Sequence, residues 1–184
     1  MQETHLKNEL TRLGMTGAGF VAVPQLPFSP EVRGYCEQNK CGQYGKTWAC
    51  PPAFGSVDAC KARCAAYDQM LVFAKCYPLA DSFDFEGMLA AKEDFAALAR
   101  QFGAYCARQS IAGLLLGNEG CSRCAKCTYP DSPCRFPDEL IYSLEGFGLR
   151  VDLLAQAAGI AYHGGPNTVT YFGGFLLNAK ETTV

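Results

Sequence analysis

Histidine is nearly missing from this chain, with two copies in 184 residues, and tryptophan occurs once. Charged residues make up 18%, and no run of one sign is long enough to serve as a tail or a membrane patch. The formal net charge of -2 leaves no basic face or stripe of the kind that grips nucleic acid. No apolar stretch approaches the roughly 20 residues that a membrane helix needs. The first ten residues, Met1 to Leu10, are polar and charged, unlike a secretory signal, so the expected location is the cytoplasm. A Ser-His-Asp order, a paired-carboxylate site and a dinucleotide fingerprint are also absent. Hydrolase and nicotinamide chemistry therefore find no residues to carry them.

Cysteine is present in excess, at eleven residues. In a reducing compartment disulfides are rare, and metal binding or catalysis is the usual role of so many thiols. The odd total also suits a closed disulfide framework badly.

The densest group lies at 120–137, where Cys121, Cys124 and Cys127 each stand two residues apart and Cys134 follows, with Pro137 beyond. This is close to the ligand run of bacterial ferredoxins, in which closely spaced thiolates wrap a cubane and a further cysteine precedes a proline. Two intervening residues let the backbone turn around the core, so that thiolates face one centre and N–H groups point at sulfide. A zinc site more often uses two separated Cys-x-x-Cys pairs around one ion. The expected cofactor here is a [4Fe-4S] cluster, with zinc the alternative.

A second group, Cys36, Cys41 and Cys50, lies in a Gly- and Pro-rich loop at about 35–52. Three thiolates leave a cubane one ligand short. The fourth could be Cys60, Cys76 or Cys134, or one iron could stay open as a Lewis acid. Cys60 and Cys64 share a helix face, and with Cys76 and Cys106 they read as small buried hydrophobes, although Cys60 remains a candidate ligand. His163, in a turn, is the candidate catalytic residue: a proton donor, a ligand to an open iron, or a solvated side chain. Lys46, Arg123, Lys126 and Arg135 flank the cysteines and either offset cluster charge or are merely solvated. Tyr44 and Trp48 either shield the first metal site or fill a satellite core.

Strand patterns at 17–23, 69–76, 111–116 and 168–177 alternate with helical ones at 3–13, 30–36, 56–67, 83–108, 138–145 and 150–158. They predict a single α/β domain over 1–184, with a sheet of about four strands, packed helices and both cysteine loops near one end. Gly173-Gly174 predicts a bulge or a close backbone approach.

Several segments taken together resemble one family: Cys41-Gly-Gln-Tyr-Gly-Lys-Thr-Trp-Ala-Cys50-Pro-Pro, Asp81-Ser-Phe-Asp-Phe-Glu-Gly87, Cys121-x-x-Cys-x-x-Cys-Thr-Tyr-Pro-Asp, Cys134-Arg-Phe-Pro and Asn167-Thr-Val-Thr-Tyr-Phe172. The chain is similar to an uncharacterised bacterial and archaeal family of predicted metal-binding proteins (domain of unknown function 2284). The resemblance implies metal binding through Cys36, Cys41, Cys50, Cys121, Cys124, Cys127 and Cys134, with no agreed reaction. The functional expectation is an iron–sulfur protein with two clusters. One would be ferredoxin-like, and one would have an open iron for redox or Lewis-acid chemistry on a small ligand. The rivals are an electron carrier or metal-delivery module docking on a partner enzyme, and a structural zinc protein. The expected partners are a redox protein or a small molecule, with no nucleic acid and no membrane.

Overall fold

The computed structural model describes residues 2–118, 121 and 123–179. In chain order the elements are α1 (Gln2–Arg12), β1 (Gly17–Ala22), α2 (Pro30–Glu37), α3 (Val57–Cys64), β2 (Gln69–Pro78), α4 (Phe85–Arg108), β3 (Gly113–Gly117), β4 (Tyr142–Ser143), α5 (Val151–Ala157) and β5 (Thr168–Leu177). The strands form one sheet in the order β1-β2-β5-β3-β4. β2 and β5 pair antiparallel over their full lengths, from Gln69 opposite Leu177 to Pro78 opposite Thr168. β3 runs antiparallel to β5, and β4 joins parallel to β3.

The fold is α/β as expected, with five strands where about four were predicted. The added strand lies inside 138–145, which reads as a helix in the sequence. Only a single turn of 3-10 helix, Pro137–Glu139, forms there. Beyond it the chain extends, and Tyr142 and Ser143 pair with Leu116 and Gly117 at the open edge of β3. Main-chain pairing at that edge overrides a weak helical preference.

Helices cover both faces of the sheet. Met70, Val72 and Ala74 of β2 join Cys60, Cys64, Phe147, Leu154 and Phe172 in one core. Leu71 and Phe73 join Leu6, Leu10, Phe95, Phe102, Cys106 and Phe175 in the other. Burial on both sides explains why β2 reads as an unbroken apolar run rather than an alternating one. The Gly173-Gly174 pair is a close approach and not a bulge, since the register runs through it. A Cβ on Gly173 would stand 2.5 Å from the Phe73 ring, and one on Gly174 2.6 Å from the Met70 sulfur.

In α4 the expected apolar stripe is only partly buried. Phe95, Ala99, Phe102 and Cys106 face the core, whereas Phe85 and Leu89 are 68% and 42% exposed. At about 100° per residue, Leu89 stands roughly 120° around the helix from Phe95. Asp84 caps this helix by accepting from the Gly87 N–H at 2.9 Å.

On the same face, the Asp94 carboxylate accepts from Lys75 Nζ at 2.9 Å and from the Tyr77 hydroxyl at 2.7 Å. Lys75 first, and Tyr77 with it, holds the Asp94 carboxyl below its ordinary range, against a smaller opposing effect of burial. A depressed carboxylate stabilises the fold above its unfolded-state value of about 3.9 and loses that contribution as the pH falls through the folded-state value. Asp94 is half exposed, so Asp94→Asn should cost only about 0.5 kcal/mol at pH 7. That difference should shrink as the pH falls through the folded-state value, as urea unfolding at neutral and at acid pH would measure.

Candidate metal centres

β3 ends at Gly117 and releases the chain into the 120–137 loop, of which Gly120 and Ser122 lie outside the described residues. Cys121, Cys124, Cys127 and Cys134, all half-buried, line one small cavity together with Trp48, Arg123, Thr128, Arg135, Phe136 and Leu140. Short local bonds shape the loop. The Thr128 hydroxyl donates to the Pro133 carbonyl at 2.8 Å, and the Ser132 N–H donates to the Thr128 carbonyl at 3.0 Å. Arg135 donates to the Lys126 carbonyl at 2.9 Å. Arg123 pairs with Glu139 at 2.9 Å and lies over the Phe136 ring, so this cation braces the loop.

The Arg123 N–H points at Cys121 Sγ, 3.4 Å away. Burial pushes the Cys121 thiol up, while this N–H and the Arg100 charge pull it down. A main-chain N–H aimed at sulfur favours the thiolate, the form that binds metal.

Trp48 belongs to the other cysteine loop, and it walls this cavity rather than the first site. Its indole N–H donates to the Ser132 carbonyl at 3.1 Å, and its ring stands edge-on to Tyr129 at 4.9 Å. The two loops are therefore packed together. Trp48 is two residues from Cys50, so their Cα atoms lie at most about 7 Å apart.

At the first site, helix α2 delivers Cys36, and a series of turns carries Cys41 and Cys50 back to it. Burial pushes the Cys50 thiol up to about 11, with the nearby Cys41, Cys36 and Glu145 charges adding to the rise. Burial also raises Cys36, followed by Glu145. The Thr47 hydroxyl, 5% exposed, has no nitrogen or oxygen partner among the described residues and lies against Cys50, where it can donate to a thiolate.

Arg33 binds this site to the rest of the fold. It is 7% exposed and donates to the Gly55 and Gly146 carbonyls, with its guanidinium over the Phe54 ring. The turn at 143–147 docks on the cysteine loop as well, since the Ser143 N–H donates to the Ala49 carbonyl at 3.1 Å.

Cys60 and Cys64 are fully buried in one core and Cys106 in the other. Burial pushes Cys64 and Cys106 up to about 12, which makes both poor nucleophiles. Cys60 lies against the Arg33 guanidinium. Cys76 is half-buried beside Gly164. His163 is exposed, with its ring against Tyr162 at 4.6 Å. The sequence reading overlooked Arg33 and Glu145. Arg33 stands one helical turn before Cys36 and so shares its face, which is a usable signal. Glu145 is more than 90 residues from Cys50, and no local pattern announces it.

Among the described residues, no three histidine, cysteine, aspartate or glutamate side chains are placed to hold one metal ion. Among the same residues no helix is long and apolar enough to cross a membrane. No curated protein and no solved structure matches the chain. Residues 20–177, which span both cysteine groups, match the family described as predicted metal-binding protein (DUF2284). Eleven cysteines, six of them on two adjoining loops and Cys36 at the end of the helix that enters the first loop, suit that description, and the chain belongs to the DUF2284 family of predicted metal-binding proteins.

Proposed function

We propose that this is a cytoplasmic iron–sulfur protein that holds two four-iron clusters, one on Cys121, Cys124, Cys127 and Cys134 and one on Cys36, Cys41 and Cys50. The observation that carries the reading is the cavity at 120–137, onto which four thiols open between Trp48, Phe136 and Leu140. Donor chemistry supports it. The ligands are all sulfur, an N–H points at one of them, and aromatic and aliphatic walls exclude water.

When bound, such clusters accept and release single electrons, and an incompletely ligated iron acts as a Lewis acid. Trp48 brings the two sites close, so the 120–137 site serves as the electron relay and the 36–50 site as the working centre. Arg123, held by Glu139, and Arg100 place positive charge near the relay and favour its reduced state. The counterparts are a redox partner protein and a small molecule that reaches the first site past the exposed Cys41.

Anaerobic purification with iron, sulfide and zinc analysis tests this. The expected material is brown, with about eight irons and eight sulfides per chain. Colourless protein carrying zinc and no sulfide would sink the proposal.

A further inference from the structure

A second cavity, of about 1210 Å³, lies between the C-terminal half of α4, the strand β3 and the 137–142 segment, and no cysteine lines it. It exists because β4 is only two residues long. β4 covers β3 at Leu116 and Gly117, so the edge from Gly113 to Leu115 stays open on that side. α4 flanks the opening with Ala97, Arg100, Ala104 and Ala107, whose three- and four-residue steps put them on one face. The opposite face carries Phe95, Phe102 and Cys106 into the core. An uncovered helix face is ordinarily polar. Here it is cut back to methyl groups, with Ala104 and Ala107 exposed, and Leu115, Tyr142 and Phe175 supply apolar walls.

Charge enters through two arginines. Arg123 is held by Glu139 at 2.9 Å. Arg100 is half-buried, and among the described residues no carboxylate is bonded to it. Asp138, the other acid in the lining, is exposed and is bonded to neither arginine among the described residues. A guanidinium that has lost part of its water and faces a groove without an anion is a receptor for one.

We infer that this groove binds an aromatic carboxylate, with its rings on the alanine face of α4 and its acid group in the fork of Arg100. One uncommitted guanidinium matches one negative charge, and its two parallel N–H groups match the two oxygens of a carboxylate. The methyl-lined helix face lets a flat ring approach closely, and the Tyr142 and Phe175 rings offer it aromatic neighbours. The volume is ample for a two-ring acid, since pockets for molecules of that size start at roughly 300 Å³. Arg123 and Leu140 also line the four-thiol cavity, so the bound acid lies against the loop of the 120–137 site. The groove is built without the thiols, and the inference stands whichever metal they hold.

Calorimetric titration of the full chain with 2-naphthoate, and with its neutral counterpart 2-naphthamide, tests this. Wild type should bind one naphthoate per chain, about tenfold more tightly than the amide, as a charge-assisted bond supports. Arg100→Gln should bring the acid down to the affinity of the amide and leave the amide unchanged. Arg100→Lys should keep part of the preference, which separates loss of the cation from loss of the fold. Ala104→Leu, at an exposed position, should weaken both probes about tenfold by filling the groove. Equal affinity of wild type for acid and amide, no binding of either at millimolar concentration, or a preference kept in Arg100→Gln would each overturn the inference. Undiminished naphthoate binding in Ala104→Leu would overturn it too, by placing the anion on Arg100 outside the groove. A wild-type dimer that Ala104→Leu splits would assign the groove to a second copy of the chain instead.

Discussion

Loading the protein with iron and sulfide will extinguish most of the fluorescence of Trp48. This is the chain's sole tryptophan, and it forms a wall of the cavity onto which Cys121, Cys124, Cys127 and Cys134 open. Its indole is fixed there by the bond to the Ser132 carbonyl and by the Tyr129 ring. An iron–sulfide core absorbs through the near ultraviolet and visible, so it drains an excited indole a few ångströms away. Zinc absorbs nothing in that range and leaves the emission nearly intact. In Cys127→Ser one thiolate is lost, the 120–137 site should fail to load, and about half of the iron should remain on the other site. Full incorporation of iron and sulfide with unchanged emission would show that this cavity is not where the metal goes.

Arg33→Ala should damage both the fold and the first site. The guanidinium donates to the Gly55 and Gly146 carbonyls from a site 7% exposed to solvent, and it covers the Phe54 ring. Removing it leaves the buried Gly146 carbonyl without a donor, at about 1–3 kcal/mol, while the exposed Gly55 carbonyl can turn to water. With the lost packing on Phe54 the expected loss is about 2–3 kcal/mol, a sizeable share of the 5–15 kcal/mol typical of a folded domain. Gly55 precedes α3, and Gly146 lies in the turn against Cys50, so the first site should lose its iron before the second does. Arg33→Lys should recover little, because a single ammonium replaces a fork that spans two acceptors. Urea unfolding with iron analysis would check both variants. A change within 1 kcal/mol, with the first site still loaded, would contradict this account of Arg33.

Much of this molecule is legible in its sequence because the signals are local. The Cys121, Cys124 and Cys127 spacing is a property of one turn of chain, and the structure brings all three to one cavity with Cys134. The bounds of β5 and the helix start after Ser56 are local as well, and the Ser56 hydroxyl accepts from the Ala59 N–H at 3.2 Å. What escaped is long-range. β4 exists because β3 offers an open edge, which residues 138–145 do not encode. Trp48 stands two residues from Cys50, yet its ring turns to the other loop, where Ser132 supplies an acceptor. The 143–147 turn docks on the loop of Cys50 only because Ser143 bonds to Ala49 across the fold.

The claim beneath all of this is that the thiols hold a core of several irons bridged by sulfide. X-ray absorption on oxygen-free full-length protein tests it most directly. The account predicts absorption at the iron edge, with sulfur as the first neighbours and iron as the next. A zinc edge with sulfur at about 2.3 Å and no neighbouring metal would contradict it.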